Sequence, residues 1–319
     1  MTFLSILLAL LFEQFKPLRA DNPVYAAIKQ LAARMEATFN AGQEGHGRMA
    51  WFVTMLLLLV PTILVYWLSA KLSPVLALAW NVLVVYLTLG FRRYSHYFTS
   101  IQLALNAGDD TTARKLLAEW THQDTTGMST SEVSRIAVEK ALVTTHRNVF
   151  GVFFWFAMPL GPAGAILYRV AEFLARAWNE PDHLKNEPFG RFATRAFYVL
   201  DWVPARLTAI AFAVVGNFED AIYAWRNFAH RWQDEAMGII LSAGGGAMGL
   251  RLGSATENAA DLPAGDVTAV DAIGMDAGST PVGEEATARA LQSTVGLVWR
   301  ALLLWMLLLL LLSFAVWLG

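Results

Sequence analysis

The chain has 319 residues, of which 56% are hydrophobic and 16% charged, and its mean hydropathy is +0.43. A soluble domain carries roughly a quarter charged residues, so this is the composition of a membrane protein. The net charge of −2 leaves no basic stripe for nucleic acid, and the absence of cysteine excludes disulfides, thiolate metal centres and a cysteine nucleophile.

Residues 1–12 (MTFLSILLALLF) have neither the basic start nor the small-residue cleavage site of a signal peptide, and they are too short to span. They predict an interfacial or re-entrant helix. Glu13 to Gly47 is amphipathic: Val24, Ile28, Leu31, Met35 and Phe39 recur at helical spacing, and Gly42, Gly45 and Gly47 mark its end. Ala50 to Ser69 predicts a span kinked at Pro61, and Pro74 to Gly90 a second, joined by a hairpin at 70–73. Arg48 precedes this pair and Arg92 and Arg93 follow it, so the positive-inside rule assigns 13–49 and 91–148 to the cytoplasm.

Within 91–148, Ile101, Leu105, Ala113, Leu116, Leu117 and Trp120 form an apolar stripe, broken by a turn at 106–110. Asp110 or Thr111 is the expected cap of the helix that follows. Ser129 to Leu142 predicts another helix, opened by a Ser129–Glu132 capping box.

Val149 to Tyr168 is apolar but interrupted by Pro159, Gly161, Pro162 and Gly164. A full span here would carry Arg169, Arg176, Lys185, Arg191 and Arg195 to the wrong side, whereas two half-penetrating segments, this one and Ala196–Gly216, keep them cytoplasmic. Broken backbone at membrane depth is tolerated only where it is buried in protein or lines a cavity. The second segment holds Asp201, Pro204 and Arg206. An unpaired charge at membrane depth costs roughly 2.5–3.5 kcal/mol, and Pro204 disfavours helix at Val203. Two readings follow: interfacial snorkelling of one charge, or a polar site at a broken helix where acid and base share a niche. The intramembrane position favours the second.

Asn217 to Trp232 is amphipathic. Ser242 to Gly253 is glycine-rich, which suits either close helix packing or the approach of backbone amides to a phosphate; it lacks the Lys-Ser/Thr ending of a P-loop. Ser254 to Glu285 is acidic and rich in small residues, the pattern of a flexible loop, and Trp299 to Leu318 predicts a final span. No His-Glu-x-x-His, Gly-x-Ser-x-Gly or Ser-x-x-Lys template occurs. The six histidines have no metal-ligand spacing and read as interfacial or polar-face residues.

Asp201-Trp202-Val203-Pro204-Ala205-Arg206-Leu207 resembles the CobD/CbiB cobalamin-biosynthesis membrane proteins and their AmpE relatives, which carry Pro-Ala-Arg-Leu after an Asn or Asp. Three further stretches follow in order. Asn106-Ala107-Gly108-Asp109 with Ala113-Arg114 resembles the family's Gly-Asp…Ala-Arg segment, Asp124-Thr125 the end of its Gly-Arg-Asp-Thr, and Ala243 to Gly253 its Ala-Gly-Ala-x-Gly-x-x-Leu-Gly. The resemblance covers residues 1–253 and the closing span. It implies ligand-binding roles for Arg195, Asp201, Arg206, Asp109, Asp124, Gly246 and Gly249.

For the CobD/CbiB branch the resemblance implies attachment of aminopropanol phosphate to adenosylcobyric acid, with ATP and Mg²⁺. The chain departs from that branch at His146–Gly151, where the synthases carry Glu-Asn-x-x-Asp-Gly, and at Phe197-Tyr198, where they carry two Asp. AmpE proteins, regarded as membrane sensory or regulatory proteins, lack these acids too, and the lost carboxylates argue against catalysis. Two functions stay open: a cobalamin-pathway membrane protein, either an active synthase with a remodelled site or a degenerate one that still binds a corrinoid or nucleotide, and a non-catalytic AmpE-like regulator. The expected architecture is all-α: a polytopic integral membrane protein with broken or re-entrant helices and cytoplasmic helical segments. Its expected parts are 1–253, an acidic loop at 254–297 and a C-terminal helix at 298–319, multi-pass in the bacterial inner membrane, with the lipid bilayer as partner and a homo-oligomer left open. Substitutions at Asp201 and Arg206 are expected to matter more than those at Asp261 and Asp266.

Overall fold

In a computed structural model, residues 2–16, 22–89, 91–179, 187–232, 234–253 and 283–318 are described. The acidic stretch 254–282, with Asp261 and Asp266, lies outside them. Helices dominate in chain order: α1 Thr2–Phe15, α2 Pro23–Phe39, α3 Glu44–Leu72, α4 Pro74–Thr88, α5 Phe91–Asn106, α6 Asp110–Thr121 and α7 Thr130–Thr145. A π-turn, His146–Phe150, then leads into α8 Gly151–Ala157, α9 Pro162–Ala177, α10 Glu187–Val215, α11 Phe218–Phe228, α12 Glu235–Met248 and α13 Ala288–Leu318. No strand occurs among the described residues beyond a single bridge between Leu250 and Glu284. This is an all-α membrane protein.

Among the described residues, three helices are long and apolar enough to cross a bilayer: α3, α10 and α13. With 29 residues α3 is about 43 Å long, against a hydrocarbon core of about 30 Å. Pro61 sits inside it without ending it, and the buried Thr54 and Thr62 hydroxyls donate back to the carbonyls of Ala50 and Leu58. Gly45 and Gly47 lie within α3 rather than closing the preceding segment; the turn is made at Gly42, whose φ is +76°. The second expected span corresponds to α4, whose 15 residues reach only about 22 Å. α4 starts where Ser73 accepts from the Val75 amide and Pro74 takes the first helical position.

The chain divides into two compact units. The first comprises residues 1–93, 147–204 and 306–319. In it α1 packs on α4, α3 on α2, α4 and α9, and α8 on α9, around Trp178, Phe189, Phe150 and Phe153. The expected interruption of 149–168 is present: α8 ends at Ala157, Gly161 turns the chain at φ +53°, and α9 begins at Pro162.

The second unit comprises residues 94–146 and 205–305, where α12 packs on α11 and α7, and α6 on α7, around Ile101, Leu117, Leu142, Phe212 and Ile239. The Ser129–Glu132 capping box forms as expected. α6 is capped by Asp109 rather than Asp110 or Thr111, because only its carboxylate reaches the Thr112 amide, at 3.0 Å. α13 begins at Ala288, well before the expected start of the last span.

Candidate functional site

The most buried acid of the membrane-length helices is Asp201, 1% exposed on α10. Tyr168 of α9, fully buried, donates its phenol to Asp201 Oδ1 at 2.7 Å. A carboxylate in such surroundings is tolerated because a donor reaches it. The ring can lie there because residue 151 is glycine: a Cβ at Gly151 would fall 2.2 Å from the Tyr168 ring. Phe197, one turn before Asp201, sets its ring 5.6 Å from that of Tyr168, and the Arg147 guanidinium lies 5.5 Å from the Phe197 centroid. Trp155 of α8 fixes the height of α10 by donating Nε1–H to the Leu200 carbonyl at 3.0 Å. One turn beyond Tyr168, the buried Glu172 lies between Arg169 (3.4 Å) and Arg176 (3.7 Å). The first unit therefore holds a phenol–carboxylate pair with guanidinium groups near it, an arrangement able to hold a proton or orient a polar ligand group.

α10 runs unbroken through Pro204, so the expected broken helix is not found there. Five residues apart on a continuous helix, Asp201 and Arg206 point about 140° from each other. Asp201 accepts from Tyr168, and Arg206 pairs with Glu235 at 2.6 Å. Glu235 opens α12 beside its N-cap Asp234, which accepts from the Ala236 and Met237 amides.

The other expected site residues each have local partners of their own. Arg195 is largely exposed and pairs with Glu44 at 2.6 Å. Asp109 caps α6, and hydrogen bonds from Thr112 first, then the Thr111 hydroxyl, hold its carboxyl down at about 2. Asp124 accepts from the Thr126 amide, which lowers its carboxyl as well. The glycines of the 242–253 stretch lie largely inside α12 and serve close packing: a Cβ at Gly246 would meet the Asp220 carbonyl oxygen at 2.4 Å, and one at Gly244 the Leu142 side chain at 2.8 Å. Gly249 ends α12 at φ +67°. Beside Gly245 and Gly246, a cavity in the second unit is lined by Phe228, Arg231, Trp232 and Ser242.

The Mg²⁺ implied by the resemblance can be tested against these donors. Asp109, Asp124, Glu44, Glu172, Asp201 and Glu235 each have a protein donor or cation of their own. Glu139 accepts from Arg135 and from the Gly253 amide. Among the described residues no three His, Asp or Glu side chains come together as metal ligands. Among the described residues, the donor set does not fit a protein-built Mg²⁺ centre, which needs free carboxylate oxygens converging on the ion.

Tyr168, Gly151 and Glu172 were not singled out by the sequence. The spacing Arg169–Glu172–Arg176 is a visible i, i+3, i+7 pattern, but nothing local joins Tyr168 to an acid 33 residues on. His146 is no polar-face residue: it is fully buried at the start of the π-turn, its Nδ1 2.8 Å from the buried Thr208 hydroxyl.

An all-α membrane protein whose membrane-length helix carries an acid bonded to a buried tyrosine defines a class rather than an activity. The comparisons narrow it. The family model described as CobD/Cbib protein matches residues 3–269, and the chain belongs to that family. It is 33% identical over 314 residues to the cobalamin biosynthesis protein CobD of Stutzerimonas stutzeri, covering 97% of both chains. It is 34% identical over 209 residues to CobD of Chromobacterium violaceum, covering 65% of each. With CobD of Leptospira interrogans it is 26% identical over 263 residues, 78% of this chain and 80% of the relative. No solved structure gives a significant match.

Proposed function

We propose that the protein works in cobalamin biosynthesis at the bacterial inner membrane, as a multi-pass protein that binds a corrinoid precursor. The observation that carries this reading is the near end-to-end likeness to a relative named for that pathway. The buried Asp201–Tyr168 pair supports a polar ligand or proton site within the membrane part. Amide formation on adenosylcobyric acid is the step the resemblance implies. With the described carboxylates engaged as they are, ligand binding is the role we assign.

That engagement also favours a second reading, a non-catalytic regulator like the AmpE proteins. A titration of the detergent-solubilised protein with adenosylcobyric acid and with ATP, each with and without Mg²⁺, separates the two. Saturable corrinoid binding supports the pathway role; binding of neither ligand leaves the regulator.

A further inference from the structure

The first two turns of α3 and α10 meet at a basic, aromatic corner of the first unit. Gly47 lies against the Phe189 backbone, where a Cβ would fall within 2 Å of the carbonyl oxygen. Phe52 and Trp51 each place a ring 5.7 Å from that of Phe192. Glu44 reaches Arg195 at 2.6 Å. Residues 44, 48 and 52 succeed one another at i, i+4 on one stripe of α3. Arg48 therefore stands between two points of contact with α10, the Glu44–Arg195 pair on one side and the Phe52–Phe192 rings on the other. On α10, Arg191 and Arg195 lie four residues apart on one stripe, and Phe192 lies three residues before Arg195. Arg48, Arg191 and Arg195 are all exposed, and Glu44 takes up one side of Arg195. Beyond Arg48 the α3 stripe continues as Phe52, Leu56 and Val60, each more than half exposed on a helix of membrane length.

Cations at the head of an exposed apolar stripe, flanked by Trp and Phe rings, match the two ends of a lipid. We propose that this corner binds the phosphate headgroup of an anionic phospholipid through Arg48, Arg191 and Arg195, with an acyl chain along Phe52, Leu56 and Val60. Guanidinium forks suit phosphate oxygens, and basic pockets between membrane helices are known lipid-headgroup sites. The proposal is independent of the corrinoid reading.

The test is native mass spectrometry of the full-length protein released from micelles containing equal phosphatidylglycerol and phosphatidylcholine. Wild type is compared with Arg48→Gln/Arg191→Gln, with Arg48→Lys/Arg191→Lys, and with Arg226→Gln as an exposed arginine elsewhere. Each basic side chain near an anionic headgroup is worth about a fivefold change in binding, so the double glutamine variant should lose phosphatidylglycerol by more than tenfold. The lysine variant should keep part of it, and Arg226→Gln should match wild type. A circular dichroism spectrum unchanged from wild type keeps a loss in the glutamine variant interpretable. Equal retention by the glutamine variant, or equal retention of the two lipids by wild type, overturns the proposal.

Discussion

Tyr168 donates to Asp201 at 2.7 Å with both side chains out of water, and this bond joins α9 to α10 inside the first unit. Tyr168→Phe removes the phenol and leaves a carboxylate oxygen short of a donor, at a cost of about 1–3 kcal/mol. Asp201→Asn keeps an acceptor for the phenol and should cost less. Equilibrium unfolding in mixed micelles gives the order; a Phe variant as stable as wild type contradicts the assignment.

Gly151→Ala attacks the same contact from the other side, because the added methyl overlaps the Tyr168 ring. The expected loss is about 1–3 kcal/mol from overpacking. If the overlap is the cause, Gly151→Ala combined with Tyr168→Phe destabilises by the same amount as Gly151→Ala alone plus a small remainder, since displacing the ring and removing its hydroxyl both break the one Tyr168–Asp201 bond. Full additivity in the same unfolding assay speaks against a shared contact.

The glycines at the end of α12 separate two demands. Gly246→Ala drives a methyl into the Asp220 backbone, which cannot rotate away, so the loss should reach the upper end of about 1–3 kcal/mol. Gly249→Ala meets open space and bears only the strain of a positive φ, roughly 1–2 kcal/mol. Thermal unfolding of the two variants should rank Gly246→Ala below Gly249→Ala, and the reverse order would deny the close crossing of α11 and α12.

How much of this was legible depends on range along the chain. The Ser129–Glu132 box and the Pro159–Gly161 break are local devices, and each was readable from a handful of adjacent residues. The membrane-length runs of α3 and α13 follow from composition, although their starts at Glu44 and Ala288 do not, since helix continues there into polar sequence. Pro204 misled because its missing N–H and ring are tolerated within a long apolar helix. The partner of Asp201 was hidden because the bond to Tyr168 depends on Gly151 leaving room for the ring, a three-body relation without a local signature. His146 shows the same limit: a polar side chain in an irregular stretch becomes a core residue once Thr208 faces it.

Asp109 makes a pH prediction. Its carboxyl is lowered from 3.8 to about 2 by donors from Thr112 and Thr111, so the charged cap favours the folded state at pH above the unfolded value. That contribution is lost as pH falls from about 4 towards 2. Thermal unfolding of wild type against Asp109→Asn should show a wild-type advantage near neutrality that narrows over this window. An advantage unchanged down to pH 2 would place the stabilisation elsewhere.

The pathway role is tested most directly by deleting the gene in its host and measuring corrinoids by mass spectrometry, with complementation by wild type, Asp201→Asn, Arg206→Ala, and Asp261→Asn with Asp266→Asn. The account predicts that cobalamin falls and an incomplete corrinoid accumulates, that wild type and the Asp261/Asp266 variant restore cobalamin, and that changes at Asp201 and Arg206 restore it poorly. Unchanged corrinoid levels in the deletion strain would contradict a place in cobalamin biosynthesis.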